Sequence, residues 1–150
     1  RLMTDLRALY QEIIVDHNRR PRNFHDLPDA NRTAEGDNPL CGDRLTVFMK
    51  VEAGVIRDIG FVGSGCAIST ASASLMTEAL RGKTEQEADA LFDRFHDLVA
   101  GAGAPGRADL GKLSAFSGVR EFPSRVKCAT LAWHAARTAM RNGGGKATTE

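Results

Sequence analysis

Arg44-Leu45-Thr46-Val47-Phe48-Met49-Lys50-Val51-Glu52, then Ala53-Gly54, then Val55-Ile56-Arg57-Asp58-Ile59-Gly60-Phe61-Val62 is the stretch that decides the fold. Leu45, Val47, Met49 and Val51 alternate with more polar neighbours, which is the two-residue period of a half-buried strand. Val55, Ile59 and Phe61 continue an alternating pattern, broken at Arg57. Ala53-Gly54 supplies a tight turn between them, so the two runs predict an antiparallel hairpin. Gly63-Ser64-Gly65 ends the second strand.

Outward from the hairpin the period becomes helical. From Cys66 on, Ile68, Ala71, Leu75 and Ala79 follow one helical face, and Gly82 stops the run. Thr84-Glu85-Gln86-Glu87 is a capping box: the Thr84 oxygen accepts the Glu87 amide and Glu87 reaches back to Thr84. The helix it opens turns Ala88, Leu91, Phe92, Phe95 and Val99 inward. Gly101 to Arg107 reads as a flexible Gly/Ala/Pro loop, and Leu110 to Phe116 as a short helical turn. A last helix, with Ser124 as N-cap after Pro123, buries Val126, Ala129, Trp133, Ala136 and Met140 and ends at Gly143-Gly144-Gly145. Towards the other end, Leu2, Leu6, Leu9 and Ile13 mark an amphipathic helix from Leu2 to about Asp16. His17 to Leu40, rich in Asn, Asp, Pro and Arg, reads as a long loop of the kind that carries function. The fold class expected is α+β, a small antiparallel sheet with helices packed mainly on one face. One domain is expected over 1–142, with 143–150 as a flexible tail.

Bulk properties narrow the function. The 150 residues are 42% hydrophobic and carry a formal net charge of +1. A near-neutral chain lacks the concentrated basic surface that nucleic-acid binding needs, and Arg19-Arg20-Pro21-Arg22 reads as a solvated turn. No apolar run approaches the roughly 20 residues of a membrane span, and the N-terminal pattern is not that of a secretory leader. Three cysteines cannot all pair internally, which fits reduced thiols in a cytoplasmic protein.

Those cysteines carry the chemistry. Cys41 and Asp43 sit in Pro39-Leu40-Cys41-Gly42-Asp43 on the turn entering the first strand. Cys66 sits where the second strand hands over to a helix, and Cys128 in the first turn or so of the last helix. Thiols near helix N-termini are favoured as thiolates, and Arg125 would add to that. If the fold joins these three places, three thiolates and a carboxylate suit a tetrahedral zinc ion. A thiol of such a site could also handle sulfur. The competing reading is a small buried core residue, for which Cys128 on an apolar helix face is the best candidate. His96 and His134 read as ordinary helix residues, His17 and His25 lie in or beside the long loop and stay open as further ligand candidates, and Ser69, Ser72 and Ser74 read as small helix-packing residues.

At these residues the chain resembles a known family. Leu9-Tyr10 through Asp16-His17, Pro21-Arg22-Asn23, Asn38 to Arg44, Gly63 to Ser69, Ala71 to Thr77, Gly82-Lys83 and Phe122 to Leu131 resemble the IscU/SufU family of iron–sulfur cluster assembly proteins (NifU N-terminal-like). Within it they are similar to the SufU type. IscU-type scaffolds carry histidine just before the third cysteine, whereas SufU-type proteins carry lysine, and here Lys127 stands there. The SufU type also has an insertion between the second and third cysteines, which Ala100 to Phe116 resembles. The resemblance implies Cys41, Asp43, Cys66 and Cys128 as zinc ligands, Cys41 as the persulfide acceptor, and Arg125 as an assisting residue beside the metal. It implies a zinc-dependent sulfur acceptor whose partners are a SufS-like cysteine desulfurase and downstream SufBCD-like assembly proteins. The alternatives are a scaffold building an iron–sulfur cluster on the same ligands, or a non-catalytic zinc-stabilised interaction module.

Overall fold

A computed structural model describes residues 2–39, 42–100, 108–142 and 146–148. The hairpin forms where alternation predicts it, as β2 (Asp43–Glu52) and β3 (Val55–Ser64). They pair antiparallel, with Val47 opposite Phe61 and Met49 opposite Ile59, and the register shifts at Lys50/Val51. Leu45, Val47, Met49 and Val51 are buried, together with Ile56, Ile59 and Phe61. The side chains between them face outward, so the sheet has one buried face.

The stretch read as a long loop contains a strand. β1 (Arg32–Asn38) pairs antiparallel with β2, from Arg32 opposite Met49 to Asn38 opposite Asp43. Its buried positions are Ala34, Gly36 and Asn38, so its inward face has no large apolar side chain and the usual alternation signal is absent. The smallness is required: a Cβ on Gly36 would lie 3.2 Å from the Leu131 side chain. β4 (Lys146–Thr148) adds to β1 in parallel, Glu35 opposite Lys146 to Asp37 opposite Thr148, giving the order β3-β2-β1-β4. Part of the stretch expected as a tail is therefore a strand, whose backbone meets polar groups that the outer side of β1 would otherwise present to water.

The helices lie over the buried face, as expected. They are α1 (Leu2–Arg19), α2 (Ala67–Leu80), α3 (Glu85–Ala100) and α4 (Pro123–Asn142), with a 3-10 segment over Ala108–Glu121 that is kinked at Gly111. This segment is longer than the turn expected over Leu110 to Phe116. α4 packs on β1 and β2, α2 on β3 and α4, and α3 on α4 and the 3-10 segment; α1 covers α2. Trp133, Phe95 and Phe116 fill the centre, with Phe95 stacked on Trp133 at 4.6 Å between centroids. The capping box forms as read: Thr84 N donates to Glu87 Oε1 at 2.9 Å and Glu87 N to Thr84 Oγ1 at 3.1 Å. The start of α4 differs from the expectation. Val126 N donates to Phe122 O, so Phe122 caps the helix and Pro123 takes the first helical position, where a missing N–H costs nothing.

Candidate metal centre

Three loop ends converge at one end of the sheet. β2 begins at Asp43 after a turn in which Gly42, at φ +74°, donates its N–H to Asn38 O at 2.9 Å. A positive φ of this kind suits glycine. β3 ends at Ser64, and two residues later Cys66 caps α2, its Sγ accepting the Ser69 N–H at 3.4 Å. Sulfur thus stands where serine, threonine or aspartate usually caps.

Asp43 ties the hairpin to this cap. Its Oδ1 accepts the Cys66 N–H at 2.8 Å, while Oδ2 lies 3.9 Å from Cys66 Sγ. The carboxylate is fully buried. Gly65 makes room for it, since a Cβ there would stand 2.8 Å from Asp43 Oδ1. Cys128 comes from the second turn of α4 rather than the first, because the helix begins at Pro123. It is fully buried, and its Sγ approaches Ser124 O at 3.5 Å.

The ligand atoms of Asp43, Cys66 and Cys128 all lie within 4.8 Å of one another, the one such group of three or more metal-ligating side chains among the described residues. Cys41 lies outside the described residues. Arg125, exposed on the first turn of α4, sits against both thiols: attraction to Cys66, and then its hydrogen bond to Cys128, hold its guanidinium above the usual arginine value. α2 starts at Cys66, so the positive end of its dipole favours anionic sulfur there. Chemically, two thiols and a carboxylate are a donor set for a thiophilic divalent cation.

The histidines stand apart from this cluster. His17 lies within α1 rather than in a loop, and its Nδ1 is 2.7 Å from Ser74 Oγ. His25 is an exposed loop residue, as read. His96 and His134 flank Phe92 on α3 and α4. Sequence reasoning missed Gly65 and the Ser69 amide. The first had a weak signal in the Gly-Ser-Gly flank of Cys66, and the second had none, because it is backbone.

The frame and the centre together define a small α+β protein built around a thiol–carboxylate cluster. The chain matches the family model described as NifU-like N terminal domain over residues 9–149 and belongs to that family, which takes in the IscU and SufU proteins. It is 41% identical to the iron–sulfur cluster assembly scaffold protein IscU of Streptococcus pyogenes, covering 93% of this chain and 87% of that protein. It is 42% identical to the zinc-dependent sulfurtransferase SufU of Bacillus subtilis, covering 87% and 88%. Its structure superposes with a TM-score of 0.81 on a putative iron–sulfur cluster assembly scaffold protein for the SUF system from Fervidobacterium islandicum, at 33% identity, covering 87% of this chain and 95% of that one. Among the described residues no helix is long and apolar enough to cross a membrane.

Proposed function

We propose that this protein is a zinc-dependent sulfur acceptor in iron–sulfur cluster assembly, receiving persulfide sulfur from a cysteine desulfurase in the cytoplasm. The observation that carries the reading is the convergence of Asp43, Cys66 and Cys128 within 4.8 Å. The donor chemistry fits: tetrahedral zinc with Zn–S bonds of about 2.3 Å needs donors spaced on the order of 3.8 Å, so small side-chain movements bring this set together. Cys41 is proposed as the fourth ligand, on its place in the Cys41-Gly42-Asp43 motif. When bound, zinc keeps its thiol ligands deprotonated.

Each residue then has a duty. Asp43, Cys66 and Cys128 hold the metal. Arg125 lies against the thiols and balances their negative charge. Cys41 takes the sulfur: its thiolate attacks the outer sulfur of the desulfurase persulfide, a new S–S bond forms at Cys41, and the donor cysteine departs as thiolate. The step is an exchange, and no external oxidant or reductant is consumed. Lys127, standing where scaffold-type relatives carry histidine, favours sulfur relay to SufBCD-like acceptors over cluster building.

The cluster-scaffold reading stands second, on the 41% identity to a protein named as a scaffold. Metal analysis of the purified protein, with sulfide release by its desulfurase measured with and without it, separates the two. Relay predicts about one tightly held zinc per chain and stimulated release that Cys41→Ala abolishes. Stimulation that survives Cys41→Ala overturns the acceptor role. A stable cluster that reconstitutes on the chain and passes to an apo-acceptor overturns the relay reading in favour of the scaffold.

A further inference from the structure

We propose that Ser72 is a positioning residue for the thiol pair, locking the axial register of α2 against α4 and thereby the spacing of Cys66 and Cys128. The inference rests on the metal-site reading and adds a residue that touches no ligand atom.

α2 begins at the centre, α4 meets it in its second turn, and the two helices pack on one another. Ser72 lies six residues beyond Cys66, about 9 Å along the axis at roughly 1.5 Å per residue. It is fully buried. Its Oγ donates to Ala129 O at 2.5 Å and accepts the Trp133 Nε1–H at 3.2 Å. A serine hydroxyl has one proton and two lone pairs, and both functions are engaged here. Ala129 and Trp133 are one turn apart on the same face of α4, so the hydroxyl grips that helix at two points along its axis. Ala129 also directly follows Cys128, so the gripped carbonyl is one residue from the ligand.

Larger buried side chains, Leu75, Met76 and Leu80 of α2 and Leu131, Trp133 and Met140 of α4, add apolar packing that is not directional, and small residues surround Ser72 itself. Ala71 and Ala73 in α2 and Ala129, Ala132, Ala135 and Ala136 in α4 are all buried. Alanine faces give non-directional attraction and few ridges to interlock. A one-residue slide moves a thiol by about 1.5 Å, several times the roughly 0.5 Å that a preorganised site tolerates. A directional, doubly engaged hydroxyl supplies the stop.

The test loads the full chain with Co(II) and compares wild type, Ser72→Ala and Leu91→Ala. Leu91 is a buried α3 residue and serves as a control for lost stability alone. Two properties are read: affinity by chelator competition, and the thiolate-to-cobalt charge-transfer and d–d bands. Ser72→Ala is expected to lose affinity by about ten-fold or more, as supporting-residue changes around metal sites do, with shifted or broadened bands. Leu91→Ala is expected to melt earlier with wild-type bands and affinity. If Ser72→Ala does not fold, Trp133→Phe removes the Nε1–H grip together with part of a buried ring, so it is read beside Leu91→Ala, which also loses buried volume, and is expected to move the same bands in the same direction where Leu91→Ala does not. Wild-type affinity and bands in the Ser72 variant, or in the Trp133 variant standing in for it, overturn the proposal, as does an equal loss in Leu91→Ala. A wild-type protein that takes up no Co(II) on its thiols overturns the metal reading itself, and this inference with it.

Discussion

Replacing Gly65 with alanine tests the centre with a single methyl group. The new Cβ would lie 2.8 Å from Asp43 Oδ1 and 3.1 Å from Cγ, whereas ordinary contact begins at 3.4 Å. The carboxylate must therefore retreat by about 0.6 Å, because it is buried and the obstacle is in front of it. Oδ1 accepts the Cys66 N–H at 2.8 Å, and the same retreat stretches that bond to about 3.4 Å, beyond the useful range. A hydrogen bond to a charged acceptor contributes about 1.5–3 kcal/mol. Taking about 2 kcal/mol, the melting temperature of the metal-free protein should fall by about 4–8 °C for a chain of this size. If the loss is instead felt only in the metal-bound state, the melting temperature of the metal-free protein holds and zinc affinity drops about 30-fold, at roughly 1.4 kcal/mol per decade. Chelator competition gives the affinity and thermal unfolding gives the stability. Gly118→Ala is the control, since a Cβ there meets nothing within 4 Å, and it should leave both unchanged. Gly65→Ala with wild-type zinc affinity and wild-type melting would refute the idea that Asp43 is held in place through Cys66.

Three further outcomes are expected. Burial, ahead of nearby charges, pushes His17 and His134 below the ordinary histidine value of 6.5; both stay neutral in the fold where the unfolded chain is already protonated. Their stabilisation is thus complete above about pH 6.5 and is lost as pH falls further, so the melting temperature of metal-free protein should drop from pH 7.5 to 5.5, and His134→Phe should flatten the slope. Thr84→Ala removes one half of the capping box and should cost about 1 kcal/mol in denaturant unfolding without changing metal affinity, because α3 carries none of the three clustered ligands. Gly36→Val presses two methyl groups on Leu131, which already lies 3.2 Å from the Cβ position. A urea midpoint corresponding to a loss of about 1–3 kcal/mol is expected from such overpacking.

What the sequence discloses depends on where side chains carry the signal. Val47, Met49, Ile59 and Phe61 announce β2 and β3 because alternation of large apolar residues is itself the cause of burial on one face. β1 is silent for the opposite reason: Ala34, Gly36 and Asn38 fill its inward positions, none of them a large apolar residue, and at Gly36 the Leu131 side chain leaves no room for one. Asp43, Cys66 and Cys128 were legible as candidates from residue type and from their places at element ends, and the fold brings them together. Their supports were not legible. Ser72 reads as one more small residue in a run of alanines and serines, and only the approach of α4 turns its hydroxyl into a two-way link.

The outer side of β3 has its own consequence. Phe61 N–H is taken by Asn23 O, Ile56 N–H by Lys83 O, and Ile56 O by the Gly82 N–H. Crossing segments have thus claimed groups near both ends of this side that an incoming strand would need. Strand addition along the full length of this side is thereby obstructed, a protection against runaway self-association. Recognition on this side of the sheet is thereby left to side chains, whose contacts are exchanged more readily than a ladder of backbone hydrogen bonds.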